Sequence, residues 1–190
     1  TSVSLGMSHI AKDLTFDPIE QRAYGIFSVG ALENRYLLGA MDLKDYRIEE
    51  LFDLDQIHVA IASDPQGNIF TIGEDGVLYR LDKGERRLVA VGATGVSVDN
   101  RYAQSATFDM ETGTLYWAAL HVDLTTALYT VDTTTGRATK TGAFPDNEEF
   151  AGLYIPDVTG PGAPATPEEL FTDFIEGSLT GVVAFDAPKV

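Results

Sequence analysis

The sequence predicts an all-β protein built from repeated four-stranded antiparallel units. A phrase of strand, acidic turn and strand recurs roughly every 45 residues, and internal repeats of that period indicate stacked structural units. A second phrase, also turning on an aspartate, lies between the copies of the first. Almost no segment shows the apolar spacing of three or four residues that an amphipathic helix requires. With 190 residues, of which 44% are hydrophobic, the chain can bury a sizeable core.

Both repeated phrases place an aspartate where the chain reverses. The first phrase reads LTFDPIEQRAYGI, IASDPQGNIFTI and SATFDMETGTLYWA, and the second is clearest in TALYTVDTTTGRATKTG. The six turn acids are Asp17, Asp64 and Asp109 in the first phrase and Asp42, Asp82 and Asp132 in the second. Because a short acidic side chain can accept a hydrogen bond from the backbone two residues on, we expect each of them to hold a turn. A truncated fourth copy of the first phrase ends at Asp157.

Four antiparallel strands in about 45 residues are typical of a β-propeller blade. The sequence therefore predicts a partial β-propeller of about three to four four-stranded antiparallel blades over residues 1–155, beginning inside a blade. The stretch ALYTVDTTTGRATKTG at residues 127–142 resembles repeats of the YVTN/NHL-like β-propeller superfamily. This resemblance implies a propeller fold and a location in the cell envelope or outside the cell. The superfamily includes binding scaffolds, structural domains and some enzymes.

The last 35 residues differ from the repeats in composition. Residues 156–167, PDVTGPGAPATP, are rich in proline and glycine, which predicts a linker. Residues 168–190 resemble the first strands of a fibronectin III or immunoglobulin-like module, as found in secreted bacterial surface proteins. A helix starting after Thr166 is the alternative, because Pro167 and Glu169 fit a helix N-terminus. Two such strands need a partner surface, which we expect the blades or a neighbouring molecule to supply.

Charge and composition exclude several classes of partner. Thirteen basic and 29 acidic side chains give a formal net charge of −16, which disfavours nucleic acid and anionic membrane surfaces. No run approaches the ~18 apolar residues of a membrane span, so we expect no membrane insertion. The chain has no cysteine, so disulfides and thiolate chemistry are excluded. Cations, basic proteins and neutral glycans stay open as ligands.

A few side chains are candidates for binding, each with a structural alternative. His9 and His58 lie near the start of two predicted inner strands, where they would face the central channel and could share a ligand. Tyr102 and Trp117 could stack against a sugar if exposed, whereas packing between blades is the default for aromatic residues.

The acidic loop that contains Asp146, Glu148 and Glu149 could hold calcium, which takes six to eight oxygen ligands; the alternative is a solvated loop. No other cofactor is predicted.

These observations lead to three hypotheses. The first is a non-catalytic binding or scaffold region of an exported, multidomain bacterial cell-surface protein, with a protein or glycan ligand. The second is a glycan-active propeller lyase or hydrolase that uses His9 and His58, although the chain shows no catalytic constellation such as G-x-S-x-G. The third is a half-propeller that forms a homodimer by pairing exposed blade edges, since unpaired strands invite such pairing.

Overall fold

The computed structural model describes residues 9–30 and 35–155, and this part of the chain is all-β. Twelve strands form three four-stranded antiparallel sheets, in each of which neighbours in sequence are neighbours in space. The prediction of four-stranded antiparallel blades is therefore confirmed, with three blades in the described residues. A single short 3₁₀ turn, Pro145–Asn147, follows the last strand of this region.

Each blade is a meander of four short strands. Blade 1 contains β1 (His9–Asp17), β2 (Arg22–Val29), β3 (Arg35–Met41) and β4 (Ile48–Leu54). Blade 2 contains β5 (His58–Ser63), β6 (Ile69–Gly73), β7 (Val77–Asp82) and β8 (Arg87–Ala93). Blade 3 contains β9 (Ser105–Asp109), β10 (Thr114–Leu120), β11 (Thr126–Val131) and β12 (Ala138–Ala143).

The first strand of each blade lies innermost. Side chains of β1 accept hydrogen bonds from the backbone of β5, at Asp13 from Ile61 (2.9 Å) and at Thr15 from Ser63 (2.9 Å). The hydroxyl of Ser105 on β9 also reaches Asp13 (3.2 Å). The last strands β4, β8 and β12 contain no fully buried residue, as expected for outer edges.

Two apolar cores lie between the three sheets. Alternate residues of a strand point to opposite faces, so one face of each blade can pack on its neighbour. Tyr24, Ile26 and Leu38 of blade 1 pack against Ile61 and Ile69 of blade 2. The second core, between blades 2 and 3, contains residues of both sheets, including Phe70, Ile72, Phe108, Leu115 and Trp117.

All six predicted turn acids hold their turns. In five of them a carboxylate oxygen accepts the backbone N–H two residues on, as in Asp17 to Ile19 (2.8 Å) and Asp132 to Thr134 (2.8 Å); the others are Asp42, Asp64 and Asp109. The carboxylate of Asp82 accepts a hydrogen bond from the backbone N–H of Glu85, three residues on (3.0 Å). The repeated acids are therefore part of the architecture, as the sequence predicted.

The chain divides into two compact units, Thr1–Ile155 and Pro156–Val190. The predicted linker at 156–167, the immunoglobulin-like strands at 168–190 and the turn acid Asp157 lie outside the described residues. Among the residues that are described, no helix has the length and apolar character needed to cross a bilayer.

Candidate functional site

The two candidate histidines sit in separate hydrogen-bond networks, each within its own blade. His9 Nε2 lies 2.9 Å from Oε1 of Glu50, and its ring meets the edge of Phe27. His58 is only 2% exposed, and its Nδ1 is 2.8 Å from the hydroxyl of Thr71. Burial lowers the pKa of His58 to about 4, although nearby carboxylates act to raise it, so this ring is neutral at pH 7. A shared ligand or an acid–base pair of His9 and His58 stays a prediction.

The candidate aromatic residues differ in exposure. Trp117 is completely buried in the core between blades 2 and 3, where it packs 5.8 Å from the ring of Tyr129. A buried indole has no free face for a sugar, so Trp117 packs between the blades, which is the default for aromatic residues. Tyr102 is 48% exposed, in the loop before β9, with the guanidinium of Arg101 5.8 Å from its ring centre. Tyr102 therefore meets the exposure condition for a stacking platform.

The acidic loop after β12 is solvent-exposed, and its three acids do not converge. Asp146 lies in the 3₁₀ turn, while Oε1 of Glu149 accepts a hydrogen bond from the backbone of Ala103 (2.8 Å). Across the described part of the chain, no group of three or more His, Cys, Asp or Glu residues could hold a metal ion. Calcium binding by Asp146, Glu148 and Glu149 thus stays a prediction that this arrangement does not support.

The same loop builds a small cleft on blade 3. Residues 149–153 run back beside the start of β9, held by the Glu149–Ala103 bond and by a bond from the backbone of Leu153 to the hydroxyl of Ser105 (3.2 Å). Phe144 and Phe150 pack against each other with ring centres 4.1 Å apart. We call this feature the blade 3 cleft; it is lined chiefly by Thr126, Phe144, Glu148, Glu149 and Phe150 over a floor of alanines, and its atoms leave no space that would admit a water molecule.

One polar group in the cleft is unusual. Thr126 begins β11 and is 3% exposed, yet its hydroxyl has no hydrogen-bond partner among the described residues. A buried polar group without a partner costs about 1–3 kcal/mol, so such groups are rare in native structures and call for an explanation. A ligand could supply the missing partner only if the side chains that close the cleft moved aside, because this oxygen has almost no accessible surface.

The sequence did not predict the cleft because its parts are distant in the chain. Thr126 lies in an ordinary strand pattern, and nothing local shows that its hydroxyl is left unpaired. Phe150 lies seven residues before Asp157, as Tyr102 lies seven residues before Asp109, and this spacing gave no indication of its contact with Phe144. Of the cleft residues, Glu148 and Glu149 alone were candidates, and for a different ligand.

No protein-family model matches the chain, and neither does any curated protein. Among solved structures, a chain from a nidogen/laminin complex matches with a TM-score of 0.56 and 15% identity, over 73% of this chain and 50% of that chain. A putative 6-phosphogluconolactonase from Bacteroides uniformis matches at 0.45 with 15% identity, covering 82% and 46%. The WD40 domain of coronin from Toxoplasma gondii matches at 0.40 with 9% identity, covering 70% and 47%.

The chain spans about half the length of these structures. At this level of identity the likeness shows the fold alone. Together with the three four-stranded sheets, the similarity to the first of these structures identifies the fold as propeller-like.

Proposed function

We propose that this chain is a non-catalytic binding region of an exported, multidomain bacterial surface protein, and that its blade 3 cleft, which is closed in this structure, opens to receive a cationic side chain of a partner protein. The unpaired hydroxyl of Thr126 carries the proposal, because it has no hydrogen-bond partner among the described residues and its oxygen can accept from a donor. A lysine ammonium or an arginine guanidinium is such a donor and has no acceptor of its own.

The other walls of the cleft fit the same ligand. Glu148 and Glu149 place two exposed carboxylates at its rim. Phe144 and Phe150 present aromatic rings, whose negative faces attract cations at short range. Acceptor, carboxylate and aromatic ring together select a positive group over a neutral one, which a purely apolar cleft could not do.

The charge of the whole chain acts in the same direction. A net charge of −16 raises the local concentration of positively charged partners and accelerates their encounter at low ionic strength. The surface context rests on the resemblance of the repeats and of residues 168–190 to secreted bacterial proteins. The nidogen/laminin complex offers an example of a similar fold in a structure of two interacting proteins.

The affinity of one side chain decides which assay is suitable. An exposed ion pair is worth about 0–1 kcal/mol and a cation–π contact about 0.5–2 kcal/mol. A charge-assisted hydrogen bond to Thr126 adds about 1.5–3 kcal/mol, so the sum is about 2–6 kcal/mol. A single lysine analogue should therefore bind in the millimolar range or more weakly, where NMR titration detects binding. We expect Nα-acetyl-lysine methylamide to shift the backbone signals of Thr126, Phe144 and Glu149, and the norleucine analogue, which lacks the ammonium, to leave them unchanged.

Two variants and a control locate the site. Thr126→Val has nearly the same shape but no hydroxyl, and we expect binding to weaken by about tenfold to a hundredfold, since hydrogen bonds to charged groups are worth about 1.5–3 kcal/mol. Glu149→Gln keeps the oxygen that Ala103 binds and should weaken binding about two- to fivefold. Glu111→Gln removes an exposed charge at the β9–β10 turn, the opposite end of blade 3, and should leave the affinity unchanged. Equal binding of lysine and norleucine, or shifts centred on Tyr102 with a saccharide instead, would contradict the proposal.

One observation favours assembly as a second function. The face of blade 1 that points away from blade 2 exposes Leu14 and Phe16, each 42% accessible, where propeller blades normally pack on a neighbour. A second copy of the chain could cover this apolar face. Light scattering at micromolar concentration should then give twice the monomer mass, and Phe16→Lys should restore the monomer. A monomeric wild type would exclude this function.

A further inference from the structure

A carboxyl group lies buried where the inner strands of all three blades meet. Asp13 of β1 accepts hydrogen bonds from the backbone of Ile61 on β5 (2.9 Å), from the hydroxyl of Ser105 on β9 (3.2 Å) and from the backbone of Leu14 (3.0 Å). The backbone of Ala106 on β9 also donates to it. One side chain thus connects three sheets that are far apart in sequence.

The repeat shows that this acid is peculiar to the first blade. Asp13 lies four residues before the turn acid Asp17, and the same position holds Ala60 in blade 2 and Ser105 in blade 3. These small side chains leave room for the carboxyl group between the strands. The strand β1 has a bulge between Ala11 and Asp13, directly before the acid.

We propose that Asp13 is a pH-sensitive junction: its neutral carboxyl group holds the three inner strands together, and loss of its proton loosens them. Two effects compete at this site. Burial raises the pKa of Asp13, and the donated hydrogen bonds lower it, leaving a pKa of about 7. An ionised carboxylate regains its hydration only if water enters the junction, so ionisation favours separation of the strands.

No charged neighbour accounts for this behaviour among the described residues. The titratable residues on the strands packed around Asp13 are His9, Lys12 and Asp17 on β1, Arg22 and Tyr24 on β2, His58 on β5 and Asp109 on β9. The largest causes of the pKa shift are burial and the hydrogen bonds from Ile61, Leu14, Ser105 and Ala106, and none of those titratable groups is among them.

The direction of the pH dependence follows from linkage. The pKa of Asp13 is higher in the folded protein than in the unfolded chain, where it is near 3.9. Its stabilising contribution is complete below pH 4 and is lost as pH rises to about 7. Between pH 5 and pH 8 the unfolding equilibrium constant should rise by roughly one to two orders of magnitude because of this group.

The experiment compares urea unfolding of the wild type and Asp13→Asn from pH 5 to pH 8. We expect the wild type to lose stability as pH rises and Asp13→Asn, which cannot ionise, to lack that component. Thr15→Val is the matched control: it removes the acceptor of the Ser63 amide two residues along β1, so it should lower stability without changing the pH slope. Equal slopes for the wild type and Asp13→Asn would overturn the proposal.

A second measurement keeps the test decisive if Asp13→Asn does not fold. Ser105→Ala removes a hydrogen bond that lowers the pKa of Asp13, so the midpoint of the wild-type transition should move to higher pH. Infrared spectroscopy of the folded wild type should show a protonated carboxyl band at pH 5 that disappears by pH 8. Absence of the band at pH 5 would show that Asp13 is already ionised there, and an unmoved midpoint in Ser105→Ala would show that another group causes the transition. Either result would refute the junction.

Discussion

The ion pair between blades 1 and 2 provides a sharp test of how the blades are joined. Asp17 is fully buried at the end of β1, and its Oδ1 accepts the backbone N–H groups of Ile19 (2.8 Å) and Glu20 (3.1 Å). Its Oδ2 binds the ammonium of Lys83, which follows β7 in blade 2. The substitution Asp17→Asn keeps the shape and an oxygen for the turn but removes the charge opposite Lys83.

The expected loss follows from the exposure of the lysine. A hydrogen bond to a charged group is worth about 1.5–3 kcal/mol. Lys83 is 31% exposed and keeps Glu20 as a partner at 2.8 Å, so solvent screening and the second carboxylate reduce the loss to about 1–2 kcal/mol. At about 2–4 °C per kcal/mol for a chain of this length, the melting temperature should fall by about 2–8 °C.

Asp64→Asn is the matched control, measured by the same urea and thermal unfolding. Asp64 occupies the equivalent turn of blade 2, is buried, and accepts the backbone N–H groups of Gln66 (2.9 Å) and Asn68 (2.8 Å). It takes part in no ion pair within the described residues, so its substitution should cost clearly less than Asp17→Asn. The difference should shrink in high salt if charge is its cause. Equal losses for the two variants would refute the idea that an ion pair joins the blades.

The remaining predictions concern a buried side chain, a glycine that lies close to the backbone of blade 2, and the loss of stability in acid. Trp117→Ala should destabilise the protein by about 3–5 kcal/mol in urea unfolding, because it empties a fully buried site in the core. Gly136→Ala should cost at least about 1–2 kcal/mol by the same assay, since Gly136 has φ of +81° and an added Cβ would lie 2.2 Å from the carbonyl oxygen of Gly92. Burial acts to raise the pKa of Asp17, but the bonds from Lys83 and the turn amides outweigh it and leave that pKa lowered; the contribution of Asp17 should therefore be present above about pH 4 and disappear in acid unfolding below it. The stabilities of the wild type and Asp17→Asn should accordingly converge as pH falls. A difference in unfolding free energy that stays constant with pH would contradict the lowered pKa of Asp17.

The architecture was predictable because its determinants are local. Each turn acid accepts hydrogen bonds from backbone groups two to four residues away, so Asp17 and Asp132 could be assigned from a few neighbouring residues. The period of the repeat then gave the number of strands in each blade. Trp117 likewise follows from alternation along a strand, which buries it and leaves Tyr116 on the opposite face.

The sites were not predictable, because they depend on contacts across the fold. His58 begins an inner strand as expected, but Thr71 on the neighbouring strand binds its ring in the interior. The junction at Asp13 joins three blades. The sequence indicates it only by an acid at the position where the other two repeats have Ala60 and Ser105. The unpaired hydroxyl of Thr126 becomes visible only when every neighbour of that atom is known.

The most direct measurement of the central claim is intermolecular NMR contact between a cationic side chain and the blade 3 cleft. With Nα-acetyl-lysine methylamide in excess, we predict cross-peaks from the ε-methylene protons of the ligand to the ring protons of Phe144 and Phe150, lost in Thr126→Val. Cross-peaks that persist unchanged in Thr126→Val, or that connect the ligand to residues outside the cleft, would contradict the account.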